Sequence, residues 1–214
     1  MSNNAGPEPD IDLLNAWRAG EKAAGEQLFD RHFNSLYSFF ASKLPLNVED
    51  LIQETFLACV EGRDRFRGDS SFRTYLFSIA RHILYQGCRR LNRERKQIDF
   101  TMVSLHDLGL TPTGIILESE QQKILLRALR SIPLEHQIAI ELYFWEEMSG
   151  PELARVLDIP EGTVRSRLRR GLDLLKRRMR EVASSPELLE STIDNLDRWA
   201  RSLRERLSGP ATDA

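Results

Sequence analysis

Cysteine is almost missing from this 214-residue chain. The only two, Cys59 and Cys88, lie in helical patterns without metal-ligand spacing, so neither a disulfide framework nor a cysteine metal site is expected, only buried thiols. The four histidines, at 32, 82, 106 and 136, stand singly. No apolar run approaches the ~18 residues needed to cross a bilayer, and no secretory signal pattern opens the chain. A soluble, cytoplasmic protein without membrane insertion is expected. No segment alternates apolar and polar residues long enough to make a useful strand, which points to an all-α fold. Nucleophile constellations, metal clusters and Gly-rich phosphate loops are also lacking, so no catalytic residue, no metal and no cofactor are expected, and the chain is not read as an enzyme.

What is present is charge, unevenly placed. The net charge of −2 and the 41% hydrophobic content suit an ordinary soluble protein with real cores. Divided along the chain, the charge is far from ordinary. Residues 1–62 carry four basic and ten acidic side chains, whereas residues 63–100 carry ten basic and four acidic. Residues 155–180 hold nine Lys or Arg against three acids, and 181–214 four against seven. Two basic blocks set between acidic ones suggest two nucleic-acid contacts on a chain that faces other partners elsewhere.

The second basic block has the pattern of a helix-turn-helix. Ser149 and Glu152 form a capping box with Pro151 in the first turn, and Leu153, Val156 and Leu157 make an apolar stripe. Asp158 falls where the turn needs a positive φ, a region that Asp enters more readily than most residues. Pro160 and Glu161 then open a second helix whose inward positions are Val164, Leu168, Leu172, Leu175 and Met179. Arg165, Ser166, Arg169 and Arg170 are left on its other faces. A recognition helix needs such a seam to fix its angle and such donors to reach bases and phosphates. The plainer alternative is a solvated bundle helix, but mixed-charge solvation does not call for nine cations against three anions.

Helical periodicity also runs through 11–19, 24–44, 47–62 and 71–95, and again through 118–179 with a break at Pro133. Between these blocks, Gly109, Pro112 and Gly114 mark a flexible linker with a helical turn around 104–108. The expected organisation is a disordered tail at 1–10, a helical domain at 11–96, the linker at 97–117, a helix-turn-helix domain at 118–180 and a C-terminal helical extension at 181–214. In that extension Ser185 and Pro186 cap an amphipathic helix with Leu189, Ile193, Leu196, Ala200, Leu203 and Leu207 on one stripe.

In the first block, Asn47 and Asp50 cap a helix that turns Asp50, Gln53, Glu54 and Glu61 outward and Leu51, Ile52, Phe56 and Val60 inward. On spacing alone this acidic face is an ordinary soluble surface. The stretch 63–71, with Arg63, Arg65, Phe66, Arg67, Ser70 and Ser71, is a basic loop bearing one aromatic. A helix follows with Phe72, Leu76, Ile79 and Ile83 inward and Arg73, Arg81, Tyr85, Arg89 and Arg90 elsewhere. Cations interleaved with aromatics beside a loop suit an unstacked nucleic-acid strand, although aromatics at this spacing are more often core.

Together, DLIQETFLACVEGRDRFRGDSSFRTYLFSIARHIL and the segment 157–170 resemble bacterial sigma factors of the extracytoplasmic-function group over most of residues 11–180, in the right order. The resemblance implies a region 2-like bundle that docks on the β′ clamp of RNA polymerase core and melts and reads the −10 element, and a region 4-like domain that reads the −35 element. Carried over by position, it implies core docking by Asp50, Gln53, Glu54 and Phe56. It assigns −10 contacts to Arg63, Arg65, Phe66, Arg67, Ser70, Ser71, Arg73, Arg81, Tyr85 and Arg89. Contacts to −35 fall to Glu161, Gly162, Thr163, Arg165, Ser166, Arg169 and Arg170, with Val164 matching the helix from its inner side. Tyr75 stands where the group usually has Trp, and His82 and Gln86 replace its usual Asn and Asp. The implied partners are RNA polymerase core, promoter DNA and an anti-sigma factor. A repressor or activator using the same helix-turn-helix, or a sigma-derived protein that sequesters a partner, would lack the acidic helix followed by an arginine-rich loop or the two intact basic surfaces, respectively.

Overall fold

The structure, a computed structural model, describes residues 9–45, 47–62, 66, 68–92, 98–110, 117, 119–183, 190 and 198. Among these residues there are eight helices and no strand. The first four are α1 (Asp10–Arg18), α2 (Lys22–Ala41), α3 (Val48–Gly62) and α4 (Phe72–Leu91); then come α5 (Glu120–Arg130), α6 (Leu134–Phe144), α7 (Gly150–Leu157) and α8 (Glu161–Val182). The all-α class and the two helical units are as the periodicity indicates.

Local chemistry sets the helix ends. Ser71 caps α4 by accepting from the Thr74 amide at 3.1 Å. Ser119 and Gln122 form a reciprocal capping box on α5. At α7 the Glu152 carboxylate accepts from the Ser149 amide at 2.9 Å, and Asp158 closes the helix at φ 54, ψ 51, the left-handed turn expected of it. Asp10 does not belong to a disordered tail: it opens α1, and its carboxylate holds Arg31 at 2.6 Å and His32 at 2.8 Å. Residues 1–8 lie outside the described residues. So do 93–97, where a longer α4 was expected, and most of the C-terminal extension, in which Glu190 and Arg198 are helical and exposed.

The segment read as a flexible linker is packed where it is described. Ile98, Phe100, Leu105, Leu108 and Leu110 are all buried. Backbone bonds tie it down on the second unit: Leu134 N–H donates to Val103 O, Glu135 N–H to Phe100 O, and His106 N–H to Arg130 O. Asp107 accepts from both the Ser104 amide and hydroxyl, closing the turn expected near 104–108. Residues 98–110 therefore form a strap. Its apolar side chains lack helical periodicity because they answer to neighbours distant in sequence.

One apolar core runs through both units. Leu13, Leu28, Phe40, Leu51, Ile52, Leu76 and Phe77 of the first unit share it with the strap and with Leu134, Ile138, Leu153, Val156 and Val164 of the second. A second core joins α5 to α8 through Ile124, Leu125, Leu129, Leu175 and Met179. Each fully buried aliphatic side chain contributes about 1.5–3 kcal/mol relative to exposure. Gly171 lets α8 approach α6 closely, since a Cβ there would lie 3.1 Å from Ile140 and 3.3 Å from His136. Across the two units, Lys43 and Glu141 form a wholly buried ion pair. Lys43 also donates to Phe39 O at 2.6 Å, Gln137 donates to Glu141 at 2.8 Å, and Arg130 donates to the carbonyls of Ser42 and Leu110. Burial pulls the Lys43 ammonium below and pushes the Glu141 carboxyl above their ordinary values, each opposed by the partner's charge.

Candidate nucleic-acid interface

The recognition-helix candidate is the more open of the two basic surfaces. Val164, Leu175 and Met179 are buried, Leu168 and Leu172 half-buried, and Glu161, Gly162, Thr163, Arg165, Arg169 and Arg170 exposed. Ser166 is partly covered and donates back to Thr163 O at 2.8 Å. The sequence pattern thus predicts both the inward seam and the outward donors. Arg167, which it does not single out, is turned inward and pairs with Glu135 of α6.

On α3, Asp50 and Gln53 are exposed and Glu54 is partly exposed, and Leu57 joins that face at 59% exposure. Phe56 does not share it. The ring is buried and packs on Phe29 at 4.2 Å, so Phe56 supports the face from beneath rather than presenting a contact. The sequence pattern does not single out Leu57, because an apolar residue beside Phe56 reads as core. Glu54 is held by both terminal nitrogens of Arg90, at 3.1 and 3.2 Å. Such an exposed pair is worth about 0–1 kcal/mol and exchanges easily for another partner.

The −10 candidates divide. Arg63, Arg65 and Arg67 lie outside the described residues. Phe66 packs on Tyr75 at 4.7 Å between ring centroids, and Arg18 donates to its carbonyl. Gly62 makes room there: a Cβ on it would fall 2.2 Å from the Tyr75 hydroxyl. An open cavity of about 500 Å³ lies against Gly62, Phe66, Ser70, Tyr75 and, from the second unit, Arg155. The Tyr75, His82 and Gln86 substitutions line a neighbouring cavity of about 450 Å³, where His82 and Gln86 bond to each other at 2.8 Å.

Of the remaining −10 candidates on α4, Arg81 and Tyr85 are engaged within the chain, Arg73 is half-buried and Arg89 is exposed. Arg81 donates to Glu135 at 2.6 Å and to Tyr85 at 2.9 Å, and Tyr85 donates its hydroxyl to the same Glu135 carboxylate. Burial, and after it the Glu135 charge, pushes the Tyr85 phenol well above its ordinary range, so it stays a donor. Tyr85 also stacks on Phe100 of the strap at 4.2 Å with 9° between planes, and Arg89 lies over that ring at 5.4 Å. At the helix start, Ser71 donates to Glu152 at 3.3 Å and Arg73 stands 3.8 Å from it. Nothing local in the sequence pairs Glu135 or Glu152 with these residues.

Among the described residues, no cluster of His, Cys, Asp or Glu could hold a metal and no helix is long and apolar enough to cross a membrane. Both cysteines are fully buried, and desolvation pushes their thiols up to about 12.

A family model for Sigma-70 region 2 matches residues 28–94, and one for Sigma-70, region 4 matches residues 122–175. The chain is similar to the ECF RNA polymerase sigma-E factor of Haemophilus influenzae, 28% identical over 185 residues that cover 81% of this chain and 96% of that protein. Against the ECF RNA polymerase sigma-E factor of Escherichia coli the identity is 28% over 180 residues, covering 79% and 94%. Two solved structures share the fold. CnrH in complex with the cytosolic domain of CnrY is 23% identical, with TM-score 0.61 over 82% of this chain and 100% of that one. The sigma factor RpoE in complex with the anti-sigma factor NepR from Bartonella quintana is 20% identical, with TM-score 0.54 over 73% and 95%.

Proposed function

Since this chain belongs to the sigma-70 family, in its extracytoplasmic-function group, and serves RNA polymerase in promoter recognition, we propose a division of that work among its residues. The α3 face of Asp50, Gln53, Glu54 and Leu57 docks on the β′ clamp of core polymerase, with Phe56 fixing it from below. The loop 63–71 and the α4 side chains Arg73, Arg81, Tyr85 and Arg89 take up the −10 strand as it melts. The exposed start of α8, through Glu161, Gly162, Thr163, Arg165, Ser166, Arg169 and Arg170, reads the −35 duplex. Residues 11–96 and 118–180 are the two working units. Trapping an unstacked base beside positive charge offsets the cost of melting, so the chain supplies binding while the polymerase supplies the chemistry. Such a protein acts in the cytoplasm, and an anti-sigma factor is a fitting antagonist.

The observation that carries this reading is the co-linear pair of surfaces, acidic and then basic on α3 and α4, followed by an open arginine-bearing helix after a left-handed turn. Run-off transcription with purified core polymerase on a promoter library tests docking, melting and reading together. Asp50→Arg sharpens the test of docking, because Asp50 is exposed and does not disturb the Glu54–Arg90 pair. Charge reversal should weaken holoenzyme formation by about tenfold or more through like-charge juxtaposition. Unchanged co-elution with core would remove α3 as the docking face.

A further inference from the structure

We propose that the strap belongs to the duplex-reading surface: its corner at Thr101 and Met102 is one wall of a pocket, opposite Thr163, Ser166 and Arg170 of α8, that takes a single backbone phosphate of DNA lying on α8. The proposal rests on the assignment of the start of α8 to the −35 duplex. The pocket has a volume of about 270 Å³, and Glu135, His136 and Arg167 complete its lining.

Both walls are built before any ligand arrives. On either side of the corner, Phe100 O and Val103 O accept from the amides of Glu135 and Leu134 at the start of α6, each at 3.1 Å. Between them, the Asp99 carboxylate accepts from the Thr101 amide at 2.9 Å and from its hydroxyl at 2.6 Å, while Asp99 O accepts from the Met102 amide at 3.0 Å. The corner is therefore a hydrogen-bonded turn clamped at both flanks. On the other side, His136 Nδ1 donates to Arg167 O at 3.0 Å where Gly171 lets the helices meet, which holds α8 at a fixed distance from the strap.

The chemistry suits a phosphodiester. Arg170 and Thr163 are exposed at the pocket and offer a guanidinium fork and a hydroxyl. The Glu135 carboxylate does not oppose them strongly, because Arg81 and Tyr85 take one of its oxygens and Arg167 the other. Met102, 73% exposed, is placed to lie against the deoxyribose beside that phosphate. Since the pocket opens on the same face as Arg165 and Arg169, a duplex read there brings one phosphate to Arg170 and so to the strap. Such a contact fixes register without reading a base.

The test uses the full chain and a duplex that it selects from a random double-stranded library. Met102→Lys should raise affinity about threefold, as one charge near a phosphate does at a wet surface. The dependence of log affinity on log salt should steepen by about 0.9, the increment for one more phosphate neutralised. Met102→Glu should weaken binding by a similar factor, and Gln27→Lys and Gln27→Glu, at an exposed position on α2, should have no comparable effect. Replacing phosphates one at a time by uncharged methylphosphonates should find one position at which the Lys and Glu variants bind alike. Equal affinity and slope in both Met102 variants overturn the pocket, as does a difference that no single methylphosphonate removes. Arg165→Ala, outside the pocket, is read in parallel. If it weakens binding while the Met102 variants do not, the strap is excluded and α8 remains the reader. If neither matters, or if the chain selects no duplex, the −35 assignment falls and the pocket with it.

Discussion

The two basic helices, α4 and α8, carry similar side chains and are used in opposite ways. On α8 the arginines at 165, 169 and 170 face solvent, and only Arg167 is drawn inward. On α4, Arg81 and Tyr85 are bound by Glu135, while Arg89 lies over Phe100 but stays exposed. Basic composition therefore does not measure availability. A cation offered to water is ready for a phosphate, while one half-buried against a carboxylate has to be released first. On α8 the three arginines are offered to solvent, whereas on α4 Arg81 is tied to Glu135. Duplex promoter is present at all times, whereas a melted strand exists only after the polymerase has engaged.

The contrast can be broken most strongly at the pair that joins the units. Lys43→Met leaves Glu141 buried without its partner and should cost about 3–5 kcal/mol in urea unfolding. Adding Glu141→Leu to that chain should recover most of the loss. A cost no larger than that of an exposed pair, about 0–1 kcal/mol, would mean the free chain is already open. On α8 the expectation is reversed. Arg165→Ala and Arg169→Ala should leave stability within about 0.5 kcal/mol. Where the lost contact is base-specific, each should weaken promoter duplex binding by about 1–3 kcal/mol and relax preference at one position. Equal binding by both variants across a sequence selection would mean that α8 does not read bases.

The smallest effect is a pH dependence at Glu152. Burial tends to raise its pKa, but hydrogen bonds from Ser149 and Ser71 and the charge of Arg73 outweigh it, leaving the folded value below the ordinary 4.5. A depressed carboxyl contributes stability that is present above 4.5 and lost as pH falls through the lowered value. Glu152→Gln should flatten the acid limb of the stability profile and leave neutral pH little changed apart from the lost cap. An identical acid limb in the variant would mean that neither the Ser149 cap nor the contacts with Arg73 and Ser71 hold the Glu152 carboxylate in solution.

Local features were legible in the sequence because their causes are local. The capping residues Ser71 and Ser149, the left-handed Asp158 and the buried seam of Val164, Leu175 and Met179 all follow from neighbours within a turn or two. Phe56 faces inward as its spacing indicates, although the resemblance places it among the docking positions. Lys43 was not readable as core, because a lysine is buried only when a partner 98 residues away is buried with it. The strap and Glu135 were hidden for the same reason. Their roles depend on which surfaces the two units bring together, and no periodicity records that.

The strap also stores length. Between Leu91 and Glu120 lie 28 residues, part of them folded down by Phe100, Leu105 and Leu110. Fully extended, such a segment reaches roughly 90 Å. Two elements named for positions −35 and −10 are separated by about 25 base pairs, or roughly 85 Å of duplex at ~3.4 Å per pair. Contour length that keeps the readers folded together is thus enough, once paid out, to let them straddle a promoter.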